Sequence, residues 1–441
     1  MIALLFTTGL VLSIGTKIVQ YRKLGYAFKL LFSKKYEGEG DISPFAALMT
    51  SLSATIGTGN IAGVATAIAI GGPGAVFWMW VTAVLGGATK FSEAVLAVKY
   101  RTTDEFGEKS GGPMYYASRG MEEKFGGNWK WLGALFALFA FVASFGIGNM
   151  VQSNSVADAV NQSIGLPHWI TGIVVALATA LVVIGGIKSI AKVAERIVPI
   201  MAIIYVAGSL WVIFANIEFL PRAFGWIFGN AFNGKAVGGG FLGTVVRMGV
   251  ARGVFSNEAG LGSAPIAHAA SKNNDPVRQG IIASLGSFLD TIVVCTMTAL
   301  VIMISPLMTI GADGLMVVRD GLNGAALTTA AYNEALPGGF GQFIVSFGLI
   351  FFAYSTILTW YFYGYKSLEY LTNAKIASYY KWVWVVLVFV GATVPLSFVW
   401  NISDAFNGLM AIPNLVALIA LSSVVFGMLR EYEGKMKNVN D

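Results

Sequence analysis

Gly57-Thr58-Gly59-Asn60-Ile61-Ala62-Gly63 interrupts an apolar stretch that runs from about Ser43 to Ile70. Glycines this close together open a helix that would otherwise cross a bilayer. The N–H and C=O groups they free cost several kcal/mol each in hydrocarbon unless they face protein, a cavity or a ligand. The break therefore predicts a binding site.

A related stretch recurs about two hundred residues later. Asn60-Ile61-Ala62-Gly63-Val64-Ala65-Thr66-Ala67 aligns without gaps on Asn257-Glu258-Ala259-Gly260-Leu261-Gly262-Ser263-Ala264, with Asn, Ala, Gly and the final Ala identical. Both copies interrupt hydrophobic segments. Paired Gly-interrupted segments in corresponding halves are the best sequence pointer to the substrate site of a repeat-built secondary transporter.

The 441 residues are 56% hydrophobic and 12% charged, against about 25% charged in soluble domains. The expected class is an all-α polytopic membrane protein with the lipid bilayer as its solvent. A β-barrel would show alternating ten-residue segments, whereas these apolar runs are of helix length. Cys295 is the single cysteine, which excludes an intramolecular disulfide, and no Cys/His cluster has metal-ligand spacing. The net charge of +6 comes from basic loops on one side of the membrane and gives no reason to expect a nucleic-acid partner.

In chain order, the expected spans are Met1 to Val19, the broken helix Ser43 to Ile70, Ala75 to Val98, Trp129 to Val160, Trp169 to Ile184 and Ile197 to Phe214. They continue with the second broken helix, Phe241 to Ala270, then Gln279 to Ile304, Phe340 to Leu371, Tyr380 to Val394, and Phe398 to Leu429 interrupted near Pro413. Gly71-Gly72-Pro73-Gly74 is read as a tight turn. Lys188, Lys192 and Arg196 are read as a loop, Gly324 to Leu336 as a short helix within one, and His168 as a loop residue. The first span lacks the basic residues that precede a signal peptide's apolar core. Every second loop is basic, while the opposite side carries only Arg222, Lys235 and Arg319. This puts the N-terminus outside and the C-terminus in the cytoplasm.

Of the eleven expected spans, removing the first leaves ten, and the broken helices are the first and sixth of these. They cross in opposite directions, as an inverted 5+5 repeat requires. The expected organisation is an extra N-terminal transmembrane helix over residues 1–20, a first five-helix repeat over 43–214 and a second over 241–429.

Gly71-Gly72-Pro73-Gly74-Ala75-Val76-Phe77-Trp78-Met79-Trp80-Val81-Thr82-Ala83-Val84-Leu85-Gly86 resembles the signature of the alanine or glycine:cation symporter family, the sodium:alanine symporters. Gly57 to Gly63 and Gly253-Val254-Phe255-Ser256-Asn257-Glu258-Ala259-Gly260 resemble that family's broken helices. The resemblance covers nearly the whole chain. It implies a fold like that of the leucine-transporter superfamily, a cell-membrane location, and import of alanine or glycine with Na⁺, or in some members H⁺.

Half-helix N-termini aim N–H groups and a positive dipole end at anions, so a substrate carboxylate is expected on Thr58, Gly59 and Asn60. The amino group needs acceptors, expected among carbonyls from Gly253 to Ser256, with Phe255 and Asn257 lining the same cavity. Gly59-x-x-x-Gly63 is also a helix-packing motif. Gln152, near Asn149 and Asn154, is either a substrate contact or a helix–helix hydrogen bond. Ser355 and Thr356 resemble the paired hydroxyls of the superfamily's sodium site. Carried over by position, their partners are carbonyls of Ser53, Ile56 and Phe352; the alternative is hydroxyls bonded back to their own helix. Trp360, one turn beyond Thr356, is expected to cap the pocket.

Lys90 and Glu93 are read as a possible pair, and Asp290, Arg247, Arg252 and Glu258 as further intramembrane charges, which are expensive and usually functional or paired. An enzyme would need a nucleophile–base or metal constellation, and none is visible. A channel would want a continuous polar pore. An exchanger without ion coupling is the other rival to a symporter. Oligomeric state has no signature in the sequence.

Overall fold

The structure is a computed structural model that describes residues 1–33, 38–232, 240–310, 316–395 and 397–440. It is a helical bundle with two minimal antiparallel hairpins, Thr102–Thr103 with Lys109–Ser110 and Met308–Ile310 with Met316–Val318. Six helices are long and apolar enough to cross a bilayer, or up to eight if each of two bent pairs is one span, among the described residues. Ile2–Gly15 and His168–Val183, also expected as spans, are shorter apolar helices.

Burial sorts the helices into layers. In Gly74–Lys99, 83% of the most apolar window is buried, against 33% in Ala374–Thr393. The first helix is therefore central and the second peripheral. Leu181, Ile203, Trp211, Phe343 and Val386 stand exposed on the outer helices, where lipid replaces the core as their apolar surroundings.

Local chemistry sets the element ends. Ser43 caps Pro44–Thr55 by accepting from the Ala46 amide at 3.0 Å, with Pro44 at the first turn. Proline there costs nothing, because its missing N–H would have had no partner. Gly72 takes a left-handed φ of 74° and turns the chain into Gly74–Lys99, as expected. Asp275 caps Pro276–Ser287 in the same way as Ser43.

Several boundaries differ from the sequence reading. Lys188, Lys192 and Arg196 lie inside one helix, Gly186–Ala215; their long stems snorkel along apolar surface to water, so the charges do not end the helix. The connection after it contains a helix of its own, Leu220–Ala231. The last segment breaks at Leu421, where Ala405–Ala420 and Ser422–Met436 bend by 55°, and Pro413 sits within the helix before the bend. His168 is not a loop residue. It opens His168–Val183 and meets Asp158 at 2.8 Å.

One face of the bundle is tied shut. Arg101 donates to the carbonyls of Ala269 at 3.0 Å and Ser271 at 2.6 Å, and to Asn274 Oδ1 at 2.7 Å. Lys366, 1% exposed at its side chain, meets Asp104 and Glu369 at 2.8 Å each and donates to Ser110 Oγ at 2.9 Å. These contacts join the hairpin after Gly74–Lys99 to the second broken helix and to the long helix Phe340–Leu371.

Candidate substrate and ion sites at the two helix breaks

The first broken helix runs Pro44–Thr55, bends by 51°, and resumes as a π-helical turn, Gly59–Gly63, continuing through Val64–Gly71. The wide turn frees carbonyls, and hydroxyls from neighbouring helices take them. Thr298 donates to the Asn60 carbonyl at 2.7 Å and Thr328 to that of Ile61 at 3.0 Å. Neither threonine stood out in the sequence, since a hydroxyl in an apolar helix gives no pattern of its own.

The second break lies between Gly240–Asn257 and Ala264–Ala269. Three residues in it have left-handed φ: Glu258 at 54°, Gly260 at 88° and Gly262 at 85°. Glycine takes that conformation freely, but a glutamate there is strained by about 1 kcal/mol. Its carboxylate is held at both oxygens, by Ser263 Oγ and by Trp360 Nε1 at 3.1 Å. Asn414 braces the break, donating to the Gly260 carbonyl at 2.9 Å and to Glu93 at 2.7 Å.

The breaks cross in contact. A Cβ on Gly59 would come within 3.2 Å of both Phe255 Cδ1 and Ser256 Cα, so the approach leaves tight quarters for any side chain and none for a bulky one. Asp290, fully buried, joins the two: it accepts from Asn60 Nδ2 at 2.7 Å, Ser256 Oγ at 2.9 Å and Thr291 Oγ1 at 2.7 Å. Asn60 Oδ1 in turn receives the Gly57 amide at 2.9 Å.

A cavity of about 320 Å³ descends to this crossing. Thr58, Ala62 and Thr66 line it from the first break, Arg252 and Phe255 from the second, and Asp158 from the helix Val151–Ile164. Val345, Ser346 and Leu349 line it from the first half of Phe340–Leu371, away from the Lys366 end of that helix. Of the expected substrate residues, Thr58 and Phe255 line the cavity, and Gln152 reaches Thr58 Oγ1 at 3.4 Å and the Ile147 carbonyl at 2.9 Å.

The others stand behind the wall. Asn60 and Ser256 face Asp290, and Asn257 reaches Thr291 Oγ1 at 3.2 Å. Trp360 is 1% exposed, packed on Gly148 and bonded to Glu258; it is not among the residues that line the cavity. The expected cap is a pillar here, because Gly148 leaves room for the indole between helices. Lys90 and Glu93 do not pair: Lys90 Nζ has no hydrogen-bond partner among the described residues.

Beside the first break lies a cluster of oxygens, with Met201 Sδ 3.9 Å from Ser355 Oγ at its edge. The Ser53 carbonyl is 3.2 Å from Ser355 Oγ and 3.1 Å from Thr356 Oγ1, and the Phe352 carbonyl is 3.0 and 2.9 Å from the same two. Ser53 Oγ and Thr359 Oγ1 adjoin them. Ile56, at the end of the first half-helix, is extended, with ψ 93°. A Cβ on Gly57 would come 3.0 Å from Thr356 Oγ1. Uncharged hard oxygens from hydroxyls and an unwound helix end are the donor set of Na⁺ sites in broken-helix transporters.

The family model described as the sodium:alanine symporter family matches residues 1–441. The chain belongs to the sodium:alanine symporter family. It is accordingly a Na⁺-coupled amino-acid symporter and a multi-pass membrane protein. The chain is similar to the sodium/alanine symporter AgcS of Methanococcus maripaludis, 52% identical over 440 residues that cover 99% of this chain and 95% of that one. It is 38% identical to the probable sodium/glutamine symporter GlnT of Bacillus subtilis, over 100% of this chain and 89% of that one. Among solved structures it shares its fold with MhsT in complex with L-phenylalanine, at a TM-score of 0.58 and 11% identity, covering 89% of this chain and 98% of that one. A Na⁺-coupled sialic acid symporter matches at a TM-score of 0.58 and 12% identity, covering 93% and 86%.

Proposed function

We propose that this symporter imports small amino acids, alanine and glycine, across the cell membrane by alternating access. The N-terminus is outside, the C-terminus is cytoplasmic, and the inverted repeats are residues 43–214 and 241–429. The observation that carries this reading is the cavity ending on Thr58 and Phe255, at the point where the two breaks touch. The substrate carboxylate meets the half-helix N-terminus at Thr58 and Gly59, whose freed amides and positive dipole end favour an anion. Gln152 contributes its carboxamide. The helix continues to Asn257 and the Glu258 amide takes the Val254 carbonyl, so the ammonium takes the carbonyls of the last turn, at Phe255 and Ser256.

Asn60, Ser256, Asn257 and Trp360 complete the site from behind, fixing the two breaks against each other. Na⁺ takes the Ser355 and Thr356 hydroxyls with the carbonyls of Ser53, Ile56 and Phe352. An ion there joins the first half-helix to the helix Phe340–Leu371, and so favours the arrangement in which the substrate floor is formed. With the cytoplasmic face held by Arg101 and Lys366, the cavity described above is the outward-facing one.

Uptake of L-alanine into liposomes, with and without an imposed Na⁺ gradient, tests the reading. Accumulation driven by the gradient, with strong competition by glycine and no transport of leucine, is the expected result. Gradient-independent equilibration would make the protein a facilitator or exchanger.

A further inference from the structure

The upper part of the cavity holds two charged groups that the breaks do not use. Arg252 lies one turn before Ser256 on the second broken helix, about 6 Å above the crossing by helical rise. Asp158 lies six residues beyond Gln152 on the helix Val151–Ile164, about 9 Å further along it. Both line the same cavity.

Arg252 packs over the Phe255 ring at 5.8 Å, yet its Nε is buried without a hydrogen-bond partner among the described residues. A guanidinium presents a planar fork of donors that matches a carboxylate in two parallel bonds. Asp158 is held from one side by His168 Nε2, 2.8 Å from its Oδ1. Its side chain is half exposed, and its other oxygen is open to a further donor. A cation and an anion lining one cavity complement the two charges of an amino acid. They lie above the narrow floor that meets the side chain.

We propose that Arg252 and Asp158 form a capture station for zwitterionic amino acids, with Arg252 taking the carboxylate and Asp158 the ammonium before the substrate descends to the breaks. The proposal rests on the reading of this cavity as the substrate's route. The station grips main-chain charges only, in a cavity of about 320 Å³, so it holds larger amino acids as well. Leucine occupies it without being transported.

The test uses the full chain in proteoliposomes and measures initial L-alanine uptake and stopped-flow association in R252Q, R252K and D158N. R252Q is expected to raise KM at least tenfold with Vmax within twofold, and to slow association by a similar factor. R252K should recover part of this, and D158N should raise KM several-fold. Weak competition by leucine should vanish in R252Q. Alaninamide, which lacks the carboxylate, should compete equally poorly in wild type and R252Q.

Unchanged KM and association in R252Q and D158N overturn the station. So does an equal loss for alanine and alaninamide, which marks a structural role, or a leak without a KM change, which marks a gate. If R252Q does not fold, D158N on the exposed wall decides by the same criteria. A Gly59→Val control separates this from the parent reading: if it loses alanine binding while R252Q is normal, only the station fails. If it binds normally, the break site itself is wrong.

Discussion

Asn60 on the first break donates its carboxamide to Asp290 Oδ1 at 2.7 Å, while Ser256 on the second break donates to the same carboxylate. One buried acid thus ties together the two segments that repeat the same sequence. Removing it takes away the hydrogen bonds that Asn60, Ser256 and Thr291 make to its carboxylate, each worth about 1.5–3 kcal/mol for a charged partner. Asp290→Ala should lower the unfolding temperature and abolish alanine binding; an unchanged melting curve with normal binding would show that the tie is dispensable.

The oxygen cluster beside Gly57 makes a separate prediction. The double variant Ser355→Ala with Thr356→Ala removes two donors without adding bulk. It should shift half-maximal Na⁺ activation upward by about tenfold or more, because an ion that favours the binding-competent state raises substrate affinity reciprocally. Gly57→Ala, crowding Thr356, should shift it in the same direction. An unaltered Na⁺ curve in both would put the ion elsewhere.

Trp360 and Phe255 make opposite predictions. Trp360 is buried between Gly148 and Glu258, so Trp360→Ala should destabilise by about 3–5 kcal/mol without admitting larger substrates. Phe255 lines the cavity, and Phe255→Ala should strengthen competition by valine or leucine and admit their transport. Competition assays on the two variants decide, and a gain of leucine transport in the Trp360 variant would restore it as a pocket wall.

The broken-helix plan was legible because Gly57 to Gly63 and Asn257 to Ala264 repeat a pattern that hydrocarbon tolerates only around a cavity or within protein. Ser355 and Thr356, singled out by the family resemblance, meet the Ser53 carbonyl across helices and bond back to the Phe352 carbonyl of their own helix, as the alternative reading had it. What the sequence left hidden is direction. Asn60, Asn257 and Trp360 sit at the right depth, but which way each side chain turns depends on partners distant in the chain: Asp290, Thr291 and Glu258. The start of the helix Gly186–Ala215, ahead of the expected span Ile197 to Phe214, was hidden for a different reason, since lysines with apolar stems read as a loop when only their charge is counted.

The closed face carries a pH prediction. Burial pushes the Asp104 carboxyl up, but the hydrogen bond and charge of Lys366, with the amides of Glu108 and Phe106, outweigh it and hold the group below its ordinary value. A depressed carboxyl contributes stability that is present above its unfolded pKa of about 3.9 and is lost as pH falls through the folded value. Acid unfolding should therefore begin below about pH 4 in wild type. Asp104→Asn should lose part of that acid-sensitive increment and be less stable at neutral pH. Identical stability–pH curves from pH 3 to 7 would mean the pair adds nothing.

The account's central claim is that substrate at the crossing breaks and Na⁺ at the Ser355–Thr356 cluster favour one arrangement. The most direct measurement is the Kd of purified protein for L-alanine across a Na⁺ titration at constant ionic strength, in wild type and in Gly59→Val. Wild type should bind more tightly as Na⁺ rises and reach a plateau, and Gly59→Val should not bind at any Na⁺ concentration. A wild-type Kd independent of Na⁺, or normal binding by Gly59→Val, would contradict the account.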